Sequence, residues 1–355
     1  MAVSLTDFDK ESYMKRFACA LARSTSSLLM GAMVIAAGTV MAQDINPRVI
    51  RFGFGNPEIS PSGQGVKHFA ELVDKKSGGK MKVRLFGGAV LGADMAMQTA
   101  LTAGTQEMMV GSTATLVGMV KEFGILDLPF VFQTPEEAYA VVDGPIGQKL
   151  TSKLPAVGLV GVAFWDNGFR NLTNSKRAVA KMEDMDGIKL RVMQNPVYLE
   201  FFKELGASPV PMPWSEVFTA LETRTVDGQE NPAPTIDTAK LYEVQKYLSL
   251  TRHAYAAHLV MASKKWWDTL TKDEQRVITE AVIETRPFQR KLNNEADSKS
   301  IATLKEKGMT VTSIPPAELQ RMSDKVRPVV EKFAANFDSN LAKEMFAQVE
   351  SMRKK

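Results

Sequence analysis

Arg191 lies in Ile188-Lys189-Leu190-Arg191-Val192-Met193, an apolar run with the character of a strand. A guanidinium is always charged, so burying it there requires an anion beside it. An internal Asp or Glu would serve, and so would a visiting carboxylate; residue type leaves both open. Asn231 precedes Pro232, which biases it toward an extended backbone and suits an amide held out on a loop. Trp165-Asp166-Asn167-Gly168-Phe169-Arg170 closes another strand pattern and sets Arg170 where the chain leaves its first group of elements. Trp214, between Pro213 and Ser215, can wall a ligand or fill a core. Gln194 and Asp94 are further polar candidates that would serve the local fold equally well. Cations, amides and an indole at strand ends, where α/β folds bind ligands, compose a receptor for an organic anion.

The rest of the chemical inventory is sparse. His68, His253 and His258 show no His-Glu-x-x-His spacing, and neither a Gly-x-Ser-x-Gly elbow nor a phosphate-binding Gly-Lys-Ser/Thr loop occurs. Asp227-Gly228-Gln229-Glu230-Asn231 lacks the spaced oxygen ligands of a calcium loop. No catalytic residue, metal site or cofactor is therefore expected, and no nucleophile–base pair is legible. With 44 basic and 40 acidic residues and no basic block with interleaved aromatics, nucleic acid is not an expected partner. The 20 methionines read as core filler.

The N-terminus specifies a compartment. Lys15, Arg16 and Arg23 precede an apolar stretch from Leu28 to Val40 that ends in Val40-Met41-Ala42, the small-residue pattern of a signal-peptidase site. Residues 1–42 are expected to be an export signal cleaved after Ala42. Asp7, Asp9 and Glu11 are unusual in such a leader and place the expected start of translation at Met14. Cleavage removes Cys19, the only cysteine, so the exported chain holds no disulfide.

The elements that position the candidates follow from periodicity. Val49–Phe54, Met81–Phe86, Glu107–Val110 and Leu159–Phe164 read as strands, alternating with helical patterns from Gly63, through Met97 to Leu101, and from Pro135. A second αβ set follows: strand Lys189–Val192, a helix opened by Asn195-Pro196 and closed by Gly206, a short helix from Ser215, and a buried strand Ala257–Ser263. Thr271-Lys272-Asp273-Glu274 is a capping box that opens a very long helical pattern, which Pro287 is expected to kink or divide. Two further helices start from Pro315-Pro316. The grammar is α/β, a mixed or parallel sheet covered by helices, and no internal repeat is present.

Leu190-Arg191-Val192, Leu205-Gly206-Ala207-Ser208-Pro209, Met212-Pro213-Trp214-Ser215-Glu216-Val217 and Val226-Asp227-Gly228-Gln229-Glu230-Asn231-Pro232 resemble the signature of substrate-binding proteins of tripartite ATP-independent periplasmic (TRAP) transporters. Asn167 to Asn174 and Leu91-Gly92-Ala93-Asp94 are similar to further elements of that family, and the likeness covers the chain from about residue 48. The subgroup most resembled is that of C4-dicarboxylate receptors. The resemblance implies a type II-like clamshell whose long helix links two lobes. Lobe I would comprise 43–168 plus about 256–297, and lobe II 169–255 plus about 298–355. It implies that Arg191 forms the principal salt bridge to a ligand carboxylate, helped by Arg170 and Asn231, with Trp214 lining the cleft and Asp94 on the facing lobe. Gly111-Ser112-Thr113 stands where sialic-acid-type members carry a charged contact, so that specificity does not transfer. The implied protein is a periplasmic monomer that hands an organic acid to membrane permease subunits. An ABC-type binding protein, a sensor accessory and a secreted enzyme on a carboxylated substrate are the rival expectations.

Overall fold

A computed structural model describes residues 44–354. The expected export signal, its cleavage point, Met14 and Cys19 lie outside the described residues. Eleven strands run through the described chain: β1 (Arg48–Phe54), β2 (Met81–Phe86), β3 (Met108–Ser112), β4 (Leu159–Phe169), β5 (Asn171–Asn174), β6 (Lys189–Val192), β7 (Ser208–Pro211), β8 (Gly228–Asn231), β9 (Tyr247–Leu250), β10 (Tyr255–Ser263) and β11 (Thr310–Ser313). They form two sheets. The first has the order β2-β1-β3-β10-β4, and the second β11-β9-β5-β8-β6-β7. β1 pairs parallel to β2 and β3, while β10 runs antiparallel to β3 and β4. In the second sheet β6 lies parallel to both β7 and β8, and β5 lies antiparallel to β8 and β9.

Each sheet carries a lobe, and the chain passes between them three times. It crosses at Arg170 between β4 and β5, returns between β9 and β10, and crosses again through the 35-residue helix Lys272–Glu306. The first two crossings are tied together, because the Arg170 amide donates to the Ala254 carbonyl at 2.9 Å. The long helix starts as its sequence dictates: the Thr271 side chain accepts from Glu274 and the Glu274 carboxylate accepts from Thr271. It buries Val277, Ile278 and Ala281 with Ile50, Phe69 and Trp165 in the first lobe. Its last turns bury Leu304 with Val217, Leu221 and Leu248 in the second. Of the two outcomes expected of Pro287, a kink or a division, division does not occur: the helix is continuous from Lys272 to Glu306. Proline has no N–H for the Ile283 carbonyl, but Ile283 is exposed, so water can take that acceptor.

The last helix, 38 residues long, does not belong to the second lobe alone. Helix Pro316–Arg353 breaks once, at Asp338 (φ −167°, ψ 103°), whose Oδ1 accepts from the Asn340 and Leu341 amides and starts the helix again. Its first part binds the second lobe through Lys325–Glu204 (2.8 Å) and Lys332–Glu200 (2.7 Å). Its second part binds the first lobe through Arg353–Glu137 (2.7 Å) and Gln348–Ala140 (2.9 Å). Phe337 lies so close over Gly124 that an added Cβ would sit 2.3 Å from its ring. This helix is thus a second strap across both lobes, and it covers a core of Phe123, Leu126, Tyr198, Phe201 and Met345 shared by the two.

Candidate ligand-binding cleft

The cleft opens where the carboxyl ends of β1, β3, β4, β6 and β8 meet, which is where α/β sheets place ligands. The space left between the lobes there is small, about 60 Å³. Lobe I contributes Phe54, Asn56, Ser62, Asp94, Ser112 and His258, and lobe II contributes Arg191, Gln194, Trp214 and Asn231.

Arg191 is held by its strand. β6 lies between β7 and β8, with Arg191 in register with Val210 and Gln229, and the flanking Leu190 and Val192 are buried in the core. The side chain is 3% exposed. Its Nε and Nη2 both donate to the Met212 carbonyl, at 2.9 and 2.7 Å, and the Trp214 ring lies 6.0 Å from its Cζ. Among the described residues no carboxylate comes within salt-bridge distance of it. Burial pulls its pKa down to about 10, opposed by the more distant Glu230 and Asp94, so the cation persists at neutral pH.

Arg170 also borders the cleft, and its guanidinium grips Glu230 in a bidentate pair, Nε to Oε2 and Nη2 to Oε1 at 2.8 Å, with a further bond to the Glu230 carbonyl. Both side chains are buried, at 1% and 0% exposure. Burial pushes the Glu230 carboxyl up, but the Arg170 charge and the His253 hydrogen bond outweigh it and hold it below the usual range. Arg170 thus has an anion supplied by its own chain. Asn231 is not on a loop: it ends β8, 5% exposed, with Nδ2 donating to Gln229 Oε1 at 2.6 Å. One of its two N–H groups is therefore committed inside the lobe.

Asp94 opens helix Asp94–Ala103 and faces Arg191 from the other lobe. Its Oδ2 accepts from the Ser112 amide at 2.9 Å, while its Oδ1 has no donor among the described residues. Gly111 makes room for it, since a Cβ there would stand 3.0 Å from the Asp94 carboxyl. Burial pushes the Asp94 pKa up to about 6, against the Ser112 N–H and the Arg191 charge. Gln194 is exposed at the rim. Trp214 closes the cleft by donating its Nε1–H to the Gly55 carbonyl of the opposite lobe at 3.2 Å.

Sequence reasoning missed Ser62 and His258, and with them the nucleophile–base pair it did not expect: Ser62 Oγ and His258 Nδ1 lie 3.2 Å apart. Burial and the Arg170 charge push the imidazole down to about 3, so it is a weak base at neutral pH. Its signal was slight, a serine two residues after the cap Ser60 of helix Pro61–Lys76 and a histidine in an apolar strand. Asn167, quoted only as part of a longer motif, also lines the cleft, its Oδ1 accepting from Thr235 at 3.2 Å.

The family model for bacterial extracellular solute-binding protein, family 7, matches residues 52–336. The crystal structure of a sugar acid binding protein from Advenella mimigardefordensis in complex with galactonate is 47% identical, covers 87% of this chain and 99% of its own, and superposes with a TM-score of 0.85. A TRAP periplasmic solute binding protein from Polaromonas sp. JS666 bound to D-erythronate is 36% identical, with 84% and 98% coverage and a TM-score of 0.82. The C4-dicarboxylate-binding periplasmic protein DctP of Rhodobacter capsulatus is 32% identical, with 82% of this chain and 87% of that protein aligned.

Proposed function

This chain belongs to family 7 of the bacterial extracellular solute-binding proteins, the TRAP type, and we propose that it captures an organic acid between its lobes through the Arg191 guanidinium. Arg191 carries the reading: it is a buried cation in a cleft with no carboxylate of its own within salt-bridge distance among the described residues. Two of its donors are spent on one carbonyl, which fixes the plane of the guanidinium; the remaining N–H groups suit a bound carboxylate. An anion arriving there completes a buried ion pair and displaces water from a preformed site.

Capture closes the cleft only if the ligand touches both lobes, because equal affinity for open and closed forms shifts no population. Arg191 and Asn231 offer contacts from one lobe and Asp94, Ser62 and His258 from the other. The closed, loaded form is then delivered in the periplasm to the membrane subunits of the transporter, and no bond in the acid is made or broken.

Thermal-shift screening against organic acids tests this. An acid at a hundred times its dissociation constant stabilises by about 2.7 kcal/mol, and Arg191→Met should abolish the shift. Persistence of the full shift in that variant overturns the reading, and chemical conversion of the acid during incubation establishes an enzyme instead.

A further inference from the structure

The segment that carries Arg191 leaves the second sheet and at once presses against the first lobe. Asn195 caps helix Pro196–Glu204, its Oδ1 accepting from the Val197 amide at 2.8 Å, and its Nδ2 crosses the junction to donate to Asp127 Oδ2 at 2.9 Å and to the Ala114 carbonyl at 3.0 Å. Asp127 ends the short helix Lys121–Asp127 of the first lobe and is 2% exposed. Among the described residues no Lys, Arg or His nitrogen lies within salt-bridge distance of it. Its surroundings do not make up the lack. Tyr198, on the Asn195 helix, is buried with a hydroxyl that has no hydrogen-bond partner. Arg170 is held by Glu230, which His253 also binds, so its charge reaches Asp127 largely neutralised. On its own helix Lys121 donates to the Asn336 carbonyl of the C-terminal helix, and Glu122 pairs with Lys153. A carboxyl so enclosed, with a neutral amide as its donor, is costly to ionise. Burial pushes it up to about 8, against the Asn195 hydrogen bond and the Arg170 charge and with help from the Glu230 charge.

We propose that Asp127 is a positioning residue for capture that couples closure to pH: the lobes seat against each other around Asn195 with Asp127 as the neutral acid, so closing on a ligand takes up a proton. This concerns the regulation of the cleft described above and rests on the reading that it closes on an acid held by Arg191. Asp127 does not line that cleft and acts only through the junction. Parting the lobes frees the carboxyl from Asn195 and admits water, and there it ionises as an ordinary aspartate. Between the two pKa values the closed form holds a proton that the open form has released. Affinity therefore falls as pH rises through that window and levels off above its upper end. Asp94 titrates lower, near 6, so the proton exchanged at pH 7.5 belongs to Asp127.

Titration calorimetry tests this with galactonate and D-erythronate, the acids held by two of the similar structures, as probes. Heats measured at pH 7.5 in HEPES and in Tris, which differ in ionisation enthalpy, should report uptake of most of one proton per acid bound, and affinity should fall about tenfold from pH 6.5 to 8.5. Asp127→Asn keeps an acceptor for Asn195 and has no proton to exchange, so it should bind with neither uptake nor slope. Asp127→Ser repeats the measurement should the asparagine not fold. A probe that binds the native protein through Arg191 with no uptake and no slope overturns this inference and leaves the receptor reading standing, and so does an uptake that persists in both variants. Undiminished binding in Arg191→Met overturns the receptor reading and this inference with it.

Discussion

Arg170, at the border of the cleft, and Glu230 form a bidentate ion pair with both side chains buried. Arg191, one strand away in the same sheet, has a backbone carbonyl where Arg170 has an acid. The two arginines should therefore respond to mutation in opposite ways. Arg170→Met leaves the Glu230 carboxylate buried beside little more than His253 and should cost about 3–5 kcal/mol of stability by denaturant unfolding. Arg191→Met removes a desolvated cation; the unliganded melting temperature should hold or rise, while affinity for the acid falls at least about a hundredfold. A large loss of unliganded stability in Arg191→Met would mean that its charge serves the fold.

Trp214 donates across the cleft to Gly55, so that bond exists only when the lobes are near one another. Trp214→Phe keeps an aromatic wall beside Arg191 and deletes the donor. One neutral hydrogen bond is worth about 1 kcal/mol, so affinity should fall roughly fivefold, mostly as faster dissociation in stopped-flow measurements. An unchanged dissociation rate would separate this bond from closure.

Asp94 makes stability depend on pH. The carboxyl titrates near 3.8 in the unfolded chain and near 6 in the folded one, because burial disfavours its charge. Between these values the folded state holds a proton that the unfolded state has released, so this group's contribution to stability falls as pH rises through the window. From about one pH unit above 6 the penalty is nearly complete, on the order of 1–3 kcal/mol. Asp94→Asn should raise the unliganded melting temperature at pH 7.5 and leave it unchanged at pH 3.5. An equal gain at both values would trace the effect to packing.

Pro287 interrupts the hydrogen-bond ladder of Lys272–Glu306 without dividing the helix. Pro287→Ala restores a donor to the Ile283 carbonyl and should stabilise the protein by about 1–3 kcal/mol, since interior proline costs about 3 kcal/mol and the native helix has already relaxed around it. If stability is unchanged, the helix has accommodated the proline without cost.

Local pattern carried much of this protein. Leu190-Arg191-Val192 is a strand because its apolar residues flank one charge in an extended run, Asn195-Pro196 starts a helix because the Asn195 Oδ1 accepts from Val197 at 2.8 Å, and Thr271 with Glu274 caps the longest helix through contacts three residues apart. Such signals lie within a few residues of one another, and the α/β layering follows from their alternation. What sequence left undivided was the pair of arginines: each sits near a strand end, each needs an anion, and nothing within ten residues says which one the chain supplies. The antiparallel register that sets Leu172 opposite Glu230 brings the acid to Arg170 from some sixty positions away, and a parallel register sets Arg191 beside Gln229 instead. The same holds for Ser62 with His258 and for the C-terminal helix laid over both lobes, whose partners are distant in the chain. Periodicity reports which face of an element is buried, but which charge meets which is decided by strand order and register, and those exist only in the folded molecule.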